Sequence, residues 1–230
     1  ISKGVYSGWD DPRLGTLKAL RRRGFLPETI RQFIVELGPK PVDVTVSWNN
    51  IESLNRKLLD PLASRYFFVS NPVELVVDNL EKDYVSKQPL HPDYPERGNR
   101  IFKVSPRGNR VSLHVSRSDL KFLEEGRIVR LMGLFNIRVR RVEREEVSAS
   151  FFSEAYLDAK GLEAPLIHWL PHSTGIKTMV VMPDADAVQG LAEDQCKELK
   201  EGEVVQFERF GFVRIGETDD RLGMVAYYAH

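Results

Sequence analysis

Cysteine is almost absent: Cys196 is the only one in 230 residues. A disulfide framework and a Cys-based zinc site within the chain are therefore excluded, and a reducing, cytosolic setting fits. No apolar run approaches the roughly 20 residues that a membrane-spanning helix needs. Net charge is lacking too, since 33 Lys and Arg balance 33 Asp and Glu. Any surface that attracts a polyanion must then be local and offset by acidic regions elsewhere. No Gly-rich phosphate loop of the mononucleotide or dinucleotide type is present. His91, His114, His168, His172 and His230 are scattered. The closest pair, His168 and His172, has Pro171 between its members, which breaks any helix there, so no metal site is expected. Neither a Ser nor Cys196 sits beside a plausible base in sequence, and no catalytic residue is expected in this chain. Position 1 is Ile rather than Met, with no signal peptide before the first element, for which a fragment is the simplest explanation.

What is there is enough apolar content, 42%, to build packed cores. The length suits two modest domains. The first third reads as helical. Asp11 and Pro12 form an N-cap with Pro at the first helical position. Leu14, Leu17 and Leu20 follow on one face, and Gly24 stops the helix. A second helix starts at Pro27, carries Ile30, Phe33, Ile34 and Leu37 at helical spacing, and ends at Gly38. Ser47 caps a third, with Trp48, Ile51, Leu54 and Leu58 on one side and Pro61 at its end. Beyond Pro61 the period falls from 3.6 to 2. Strands are expected at 66–69, 73–77, 101–104, 111–115, 128–134, 137–142, 147–152, 176–182, 204–207, 212–215 and 224–228, with Asn71 and Pro72 as a break. Short helices are expected at 118–124 and 187–200. Many short strands between turn residues point to β-barrels joined to a helical segment rather than an open parallel sheet.

Local basic clusters stand out against the neutral total. Arg21, Arg22 and Arg23 close the first helix, where they serve either its C-terminal dipole or phosphates. Arg56 and Lys57 lie on the polar side of the third helix. Arg138 and Arg140 share one side of a strand whose other side is apolar, although Glu143, Glu145 and Glu146 nearby offer cross-strand ion pairs. Aromatics crowd the same segments: Tyr66, Phe67, Phe68, Phe135, Phe207, Phe210 and Phe212. Rings of this kind stack on unpaired RNA bases while Arg or Gln reads base edges; in a barrel they also fill the core.

Four segments carry a resemblance. Gly8-Trp9-Asp10-Asp11-Pro12-Arg13, followed by Leu20-Arg21-Arg22-Arg23-Gly24-Phe25, resembles a segment shared by glutaminyl-tRNA synthetases and by archaeal and eukaryotic glutamyl-tRNA synthetases, just after the KMSKS-like loop. Asn71-Pro72-Val73-Glu74-Leu75-Val76-Val77 resembles that family's first barrel strands. His91-Pro92-Asp93-Tyr94-Pro95-Glu96-Arg97-Gly98 is similar to a barrel loop, and Val205-Gln206-Phe207-Glu208-Arg209-Phe210-Gly211-Phe212 to the last barrel segment. Order and spacing hold from about residue 4 onward.

The resemblance implies a mainly β chain with an N-terminal helical subdomain and two anticodon-binding β-barrels. Residues 1–63 would be the end of the catalytic domain and the part touching the tRNA stem, 64–136 plus 201–230 the proximal barrel, and 137–200 the distal barrel. It implies that Arg65 and Gln206 contact the middle anticodon base and that Arg130 lies near the first. Met132 stands where the glutaminyl enzymes have a second arginine, and the loop at 123–127 is shorter than theirs, so third-base contacts are not transferred. Arg21, Arg22, Arg23, Arg56, Lys57, Arg138 and Arg140 are expected at the tRNA backbone. The partner is then tRNA for glutamate, with tRNA for glutamine open, bound by a cytoplasmic monomer. No cofactor is expected in this part. ATP and Mg would serve the whole glutamate–tRNA ligase, whose HIGH-like and KMSKS-like motifs lie upstream of Ile1 in the family, so this part alone is expected to be inactive. Two alternatives are a glutaminyl relative and a free-standing barrel module that binds RNA or a protein.

Overall fold

The computed structural model describes residue 1 and residues 4–39, 45–219 and 223–230. The chain is mainly β with an N-terminal helical part. Two compact units arise: Ile1–Arg65 with Thr178–Val188 and Glu198–His230, and Tyr66–Lys177 with Gln189–Lys197.

Three helices open the first unit. Helix α1 spans Leu17–Arg23. Its cap is Thr16, whose hydroxyl accepts from the Ala19 N–H, and Gly24 ends it in the left-handed region at φ 94°. The expected cap at Asp11 and Pro12 is corrected. Asp11 instead gathers the Ser7 N–H at 2.9 Å and the Arg13 N–H at 3.1 Å, together with both ends of the Arg13 guanidinium. An Asp that bonds its own downstream backbone builds a turn as readily as a cap. Helix α2, Pro27–Leu37, starts on Pro27 and ends at Gly38, and α3, Trp48–Leu59, is capped by Ser47. These match the sequence expectation. Leu20, Phe25 and Ile51 are buried together among the helices.

The second unit is built on β1 (Pro72–Asp78), β2 (Tyr84–Pro89), β3 (Asn99–Val104), β4 (Arg110–Ser116), β5 (Ile128–Leu131), β6 (Asn136–Val142), β7 (Glu146–Ser153) and β8 (Leu170–Pro171). In the main sheet β5, β6, β7, β1, β4 and β8 are neighbours in that order. Strands β1 and β7 are parallel and β1 and β4 antiparallel. Alternation sets the faces: Val73, Leu75 and Val77 point inward on β1, and Ile137 and Val139 do so on β6. Phe67, Leu113, Phe135 and Trp169 complete the core. Inside it Arg100 and Glu193, each 1% exposed, pair at 2.8 Å, and Glu193 also accepts the Phe67 N–H.

Two expectations change here. Residues 187–192 form a strand, Ala187–Ala192, followed by a short 3-10 turn at Asp194–Glu198, in place of the expected helix over 187–200. Gly190 is the reason. It pairs with Ser70, and a Cβ there would meet the Val69 carbonyl at 2.4 Å. Close strand pairing thus requires glycine at a position where a helix would be weakened by it. Second, the compact units divide the chain elsewhere than 64–136 plus 201–230 against 137–200. The β6–β7 hairpin continues the sheet begun at β1, because β7 pairs along β1 from Glu74 to Asp78.

In the first unit, β9 (Val204–Phe207), β10 (Gly211–Asp219) and β11 (Gly223–Tyr228) form an antiparallel run, and residues 178–181 lie parallel to β11. Phe212 and Ala229 pack with Leu59 and Ala63, joining this run to α3. Among the described residues, no helix is long and apolar enough to cross a membrane.

Candidate nucleic-acid interface

Successive residues on a helix turn by about 100°, so Arg21, Arg22 and Arg23 point three ways. Arg23 is 3% exposed. Its Nη2 donates to the Ala229 carbonyl at 2.7 Å and to Glu52 at 3.0 Å, and its guanidinium lies over Phe25 and Trp48. Burial pushes its pKa down, opposed by Glu52. Arg23 is therefore a clamp between helix and C-terminal strand, which corrects its expected place at the tRNA backbone: no phosphate reaches a group already enclosed. Arg22 is half-buried, paired with Asp10 at 2.9 Å and donating to the Tyr227 hydroxyl at 2.8 Å. Arg21 is exposed.

Arg21 and Arg22 line a cleft of about 750 Å³ with Lys18, Arg214, Trp9 and Tyr227. Asp10, Glu201 and Glu217 also line it, and Asp10 is engaged by Arg22. The exposed Trp9 indole beside cations offers a ring face for a base and charges for phosphates. Lys18 was legible from sequence, since it sits three and four residues before Arg21 and Arg22 and so on their side of α1. Arg214 had no local signal; the sheet brings it there.

Arg65 and Gln206 fall in this same unit. The Gln206 N–H donates to the Ser64 carbonyl at 2.9 Å, which sets the residue before Arg65 against β9. The Arg65 guanidinium reaches Asp60 at 3.4 Å and is one quarter exposed. Its Nε is buried with no hydrogen-bond partner, leaving a donor unspent. Gln206 is half-buried. Arg56 and Lys57 are exposed in the last turn of α3.

Arg130, Arg138 and Arg140 belong to the other unit. Ile128 faces Arg138 and Arg130 faces Asn136, so Arg130 and Arg138 are diagonal neighbours on one face of β5–β6. Arg130 donates to Asn136 Oδ1 at 3.1 Å and to the Glu154 carbonyl at 2.8 Å, which holds it with no carboxylate partner among the described residues. Burial lowers its pKa. Arg138 and Arg140 are exposed, and Arg138 lies over Phe152 at 5.1 Å. The pairing skips Arg140, where β6 bulges between Val139 and Arg141. The cross-strand ion pairs open at the sequence level go elsewhere: Glu143 takes Arg141 and Glu145 takes Arg117. Of the seven aromatics read as stacking faces or as core, Tyr66, Phe67, Phe68, Phe135, Phe207 and Phe212 are buried. Only Phe210 among them is half-exposed, so the core reading of these rings prevails. No group of three or more His, Cys, Asp or Glu able to hold a metal occurs among the described residues.

Comparison with known proteins gives a consistent result. The family described as tRNA synthetases class I (E and Q), anti-codon binding domain, matches residues 63–154, and a second family of the same description matches 166–216. The catalytic domain of the same class matches residues 1–61. The chain is 46% identical over its whole length to a glutamate–tRNA ligase of Pyrococcus furiosus and 46% to one of Pyrococcus abyssi. One from Methanobrevibacter smithii is 44% identical. In each case the chain spans 39% of the relative's length.

Proposed function

From a chain that belongs to the class I (E and Q) tRNA synthetases, we propose that these residues are the tRNA-recognising part of a glutamate–tRNA ligase. The observation that carries this is the agreement in order of both anticodon-binding descriptions with a relative identical at 46% of positions along the full chain. In this reading Arg65 and Gln206 read the middle anticodon base, and Arg130 the first. The part-exposed Arg65 guanidinium and the half-buried Gln206 amide supply donors and an acceptor beside one strand. Arg and Gln fit base edges by paired hydrogen bonds. Exposed Arg21, Lys18, Arg56, Lys57, Arg138 and Arg140 hold phosphates, which position the RNA without reading it. The whole enzyme would activate glutamate with ATP and Mg and pass the acyl group to the tRNA 3′ end, in the cytoplasm and as a monomer.

The test is binding of glutamate-tRNA transcripts to the chain. Arg65→Ala and Gln206→Ala should each cut discrimination at the middle anticodon base by about 1–3 kcal/mol. Equal weakening for a transcript altered at that base would sink the assignment. Because the matched families cover both amino acids, charging of glutamate and glutamine tRNAs by the whole enzyme decides between the glutamyl and glutaminyl forms.

A further inference from the structure

A hairpin in the second unit breaks a rule of strand pairing. Gly108 and Asn109 have φ of 60° and 61°, the left-handed pair that a two-residue turn needs. The Arg107 N–H donates to the Arg110 carbonyl at 2.9 Å, and the Arg110 N–H returns to Arg107 at 3.3 Å. These two arginines are thus directly opposed, with side chains on one face. Like charges so placed oppose pairing. One carboxylate, Asp78, answers Arg110 at 2.6 Å. Arg107 has no ion pair among the described residues.

The pair opens onto a cleft of about 480 Å³ that Lys103, Ser112 and His172 also line. Among the described residues no Asp or Glu lines it. Arg110, Ser112 and His114 follow at two-residue steps and so share a face of β4. His172 lies over His114 with ring centroids 4.5 Å apart, and its N–H is fixed on the Ser112 carbonyl at 3.2 Å. The site therefore collects two arginines, a lysine, a hydroxyl and an exposed imidazole; Asp78 answers Arg110, while Arg107 and Lys103 have no ion pair among the described residues. A local rule broken with only partial compensation is expected at functional or strained sites.

We propose that this cleft binds a phosphate group, with Lys103, Arg107 and Arg110 supplying charge and Ser112 and His172 directional hydrogen bonds. On the tRNA reading above, the source is a backbone phosphodiester of the tRNA; a free phosphate is the other source.

Two measurements on the full chain test it. In the first, inorganic phosphate is titrated at constant pH and ionic strength while imidazole proton resonances are followed. The His172 signal should move saturably, the buried His230 signal should not, and Lys103→Ala/Arg107→Ala should abolish the movement. In the second, a labelled glutamate-tRNA transcript is bound across salt. The double variant should weaken binding by about tenfold at about 100 mM salt and flatten the log–log slope by about 1–2. The factor should be the same for a transcript altered in the anticodon, and Arg107→Lys should keep most of the binding. Saturable phosphate binding with unchanged tRNA binding would assign the site to free phosphate. Loss of all tRNA binding by the unaltered chain would defeat the tRNA reading alone. No saturable shift and an unchanged slope, with the thermal transition intact, would overturn the site.

Discussion

Two arginine-rich segments meet different fates. Arg21 to Arg23 are consecutive on a helix and separate: the first two line one cleft, one exposed and one half-buried, and the third is buried. Arg138 and Arg140 alternate on a strand and are both exposed, with Arg140 at a bulge. Local density of charge is alike in the two segments. What differs is the period, about 3.6 against 2, and the period decides how many cations one ligand can meet. A basic run in sequence is therefore no measure of a basic surface until its secondary structure is known.

The largest effect is expected on removal of Arg23. Arg23→Ala should destabilise the chain by about 3–5 kcal/mol, because Glu52 and two main-chain carbonyls lose a buried cation. Arg21→Ala, at an exposed site, should stay within about 0.5 kcal/mol. Chemical denaturation measures both. Arg23→Lys should recover little, since an ammonium cannot span the same fork of acceptors. A loss for Arg23 no larger than that for Arg21 would show that the triplet is not divided as described.

Acid provides the next test. Asn55 Oδ1 accepts from the Leu26 N–H and the Thr29 hydroxyl, so Asn55 Nδ2 is the group that faces His230 Nε2, at 3.1 Å. That nitrogen must accept, and the imidazole is neutral. Burial, with Arg56 and Arg23 nearby, pushes its pKa down to about 4. Unfolded, it takes a proton near its ordinary value of about 6.5. Above that pH neither state is charged. As pH falls toward 4 only the unfolded state gains the proton, so stability drops by about 1.4 kcal/mol per pH unit, to a total near about 3 kcal/mol. His230→Gln should remove this part of the slope while leaving an acceptor for Asn55. An unchanged slope would mean that His230 is already protonated in the fold. The strand pair Arg138 and Arg140 has no such histidine to answer acid.

How much of this was legible varies with how local its cause is. Helices α2 and α3 were, since Pro27, Gly38 and Ser47 act on their neighbours. The cap of α1 was not, because Asp11 chose Arg13 and Ser7 over the helix. Strand Ala187–Ala192 was hidden because its cause is Val69, distant in sequence, pressing on Gly190. The exposure of Arg138 and Arg140 was readable from alternation alone. Arg23 was misread because burial is a tertiary fact that composition does not carry. Arg214 and Trp9 come to line one cleft although they lie far apart in sequence.

The smallest expected effect bears on the strand half of the comparison. Arg138 and Arg140 are exposed and lack ion pairs among the described residues, so their removal leaves no buried partner behind. Arg138→Ala/Arg140→Ala should leave stability within about 0.5 kcal/mol. If both touch tRNA phosphates, the slope of log affinity against log salt should fall by about 2, with a similar loss for every tRNA sequence. Single variants separate the two. The bulge puts Arg140 outside the regular pairing while Arg138 rests on Phe152, so each should account for about one unit of slope only if both reach the same strand of RNA. A loss confined to Arg138 would show that the bulge turns Arg140 aside and that a period of 2 no longer predicts a shared face where a strand carries an extra residue.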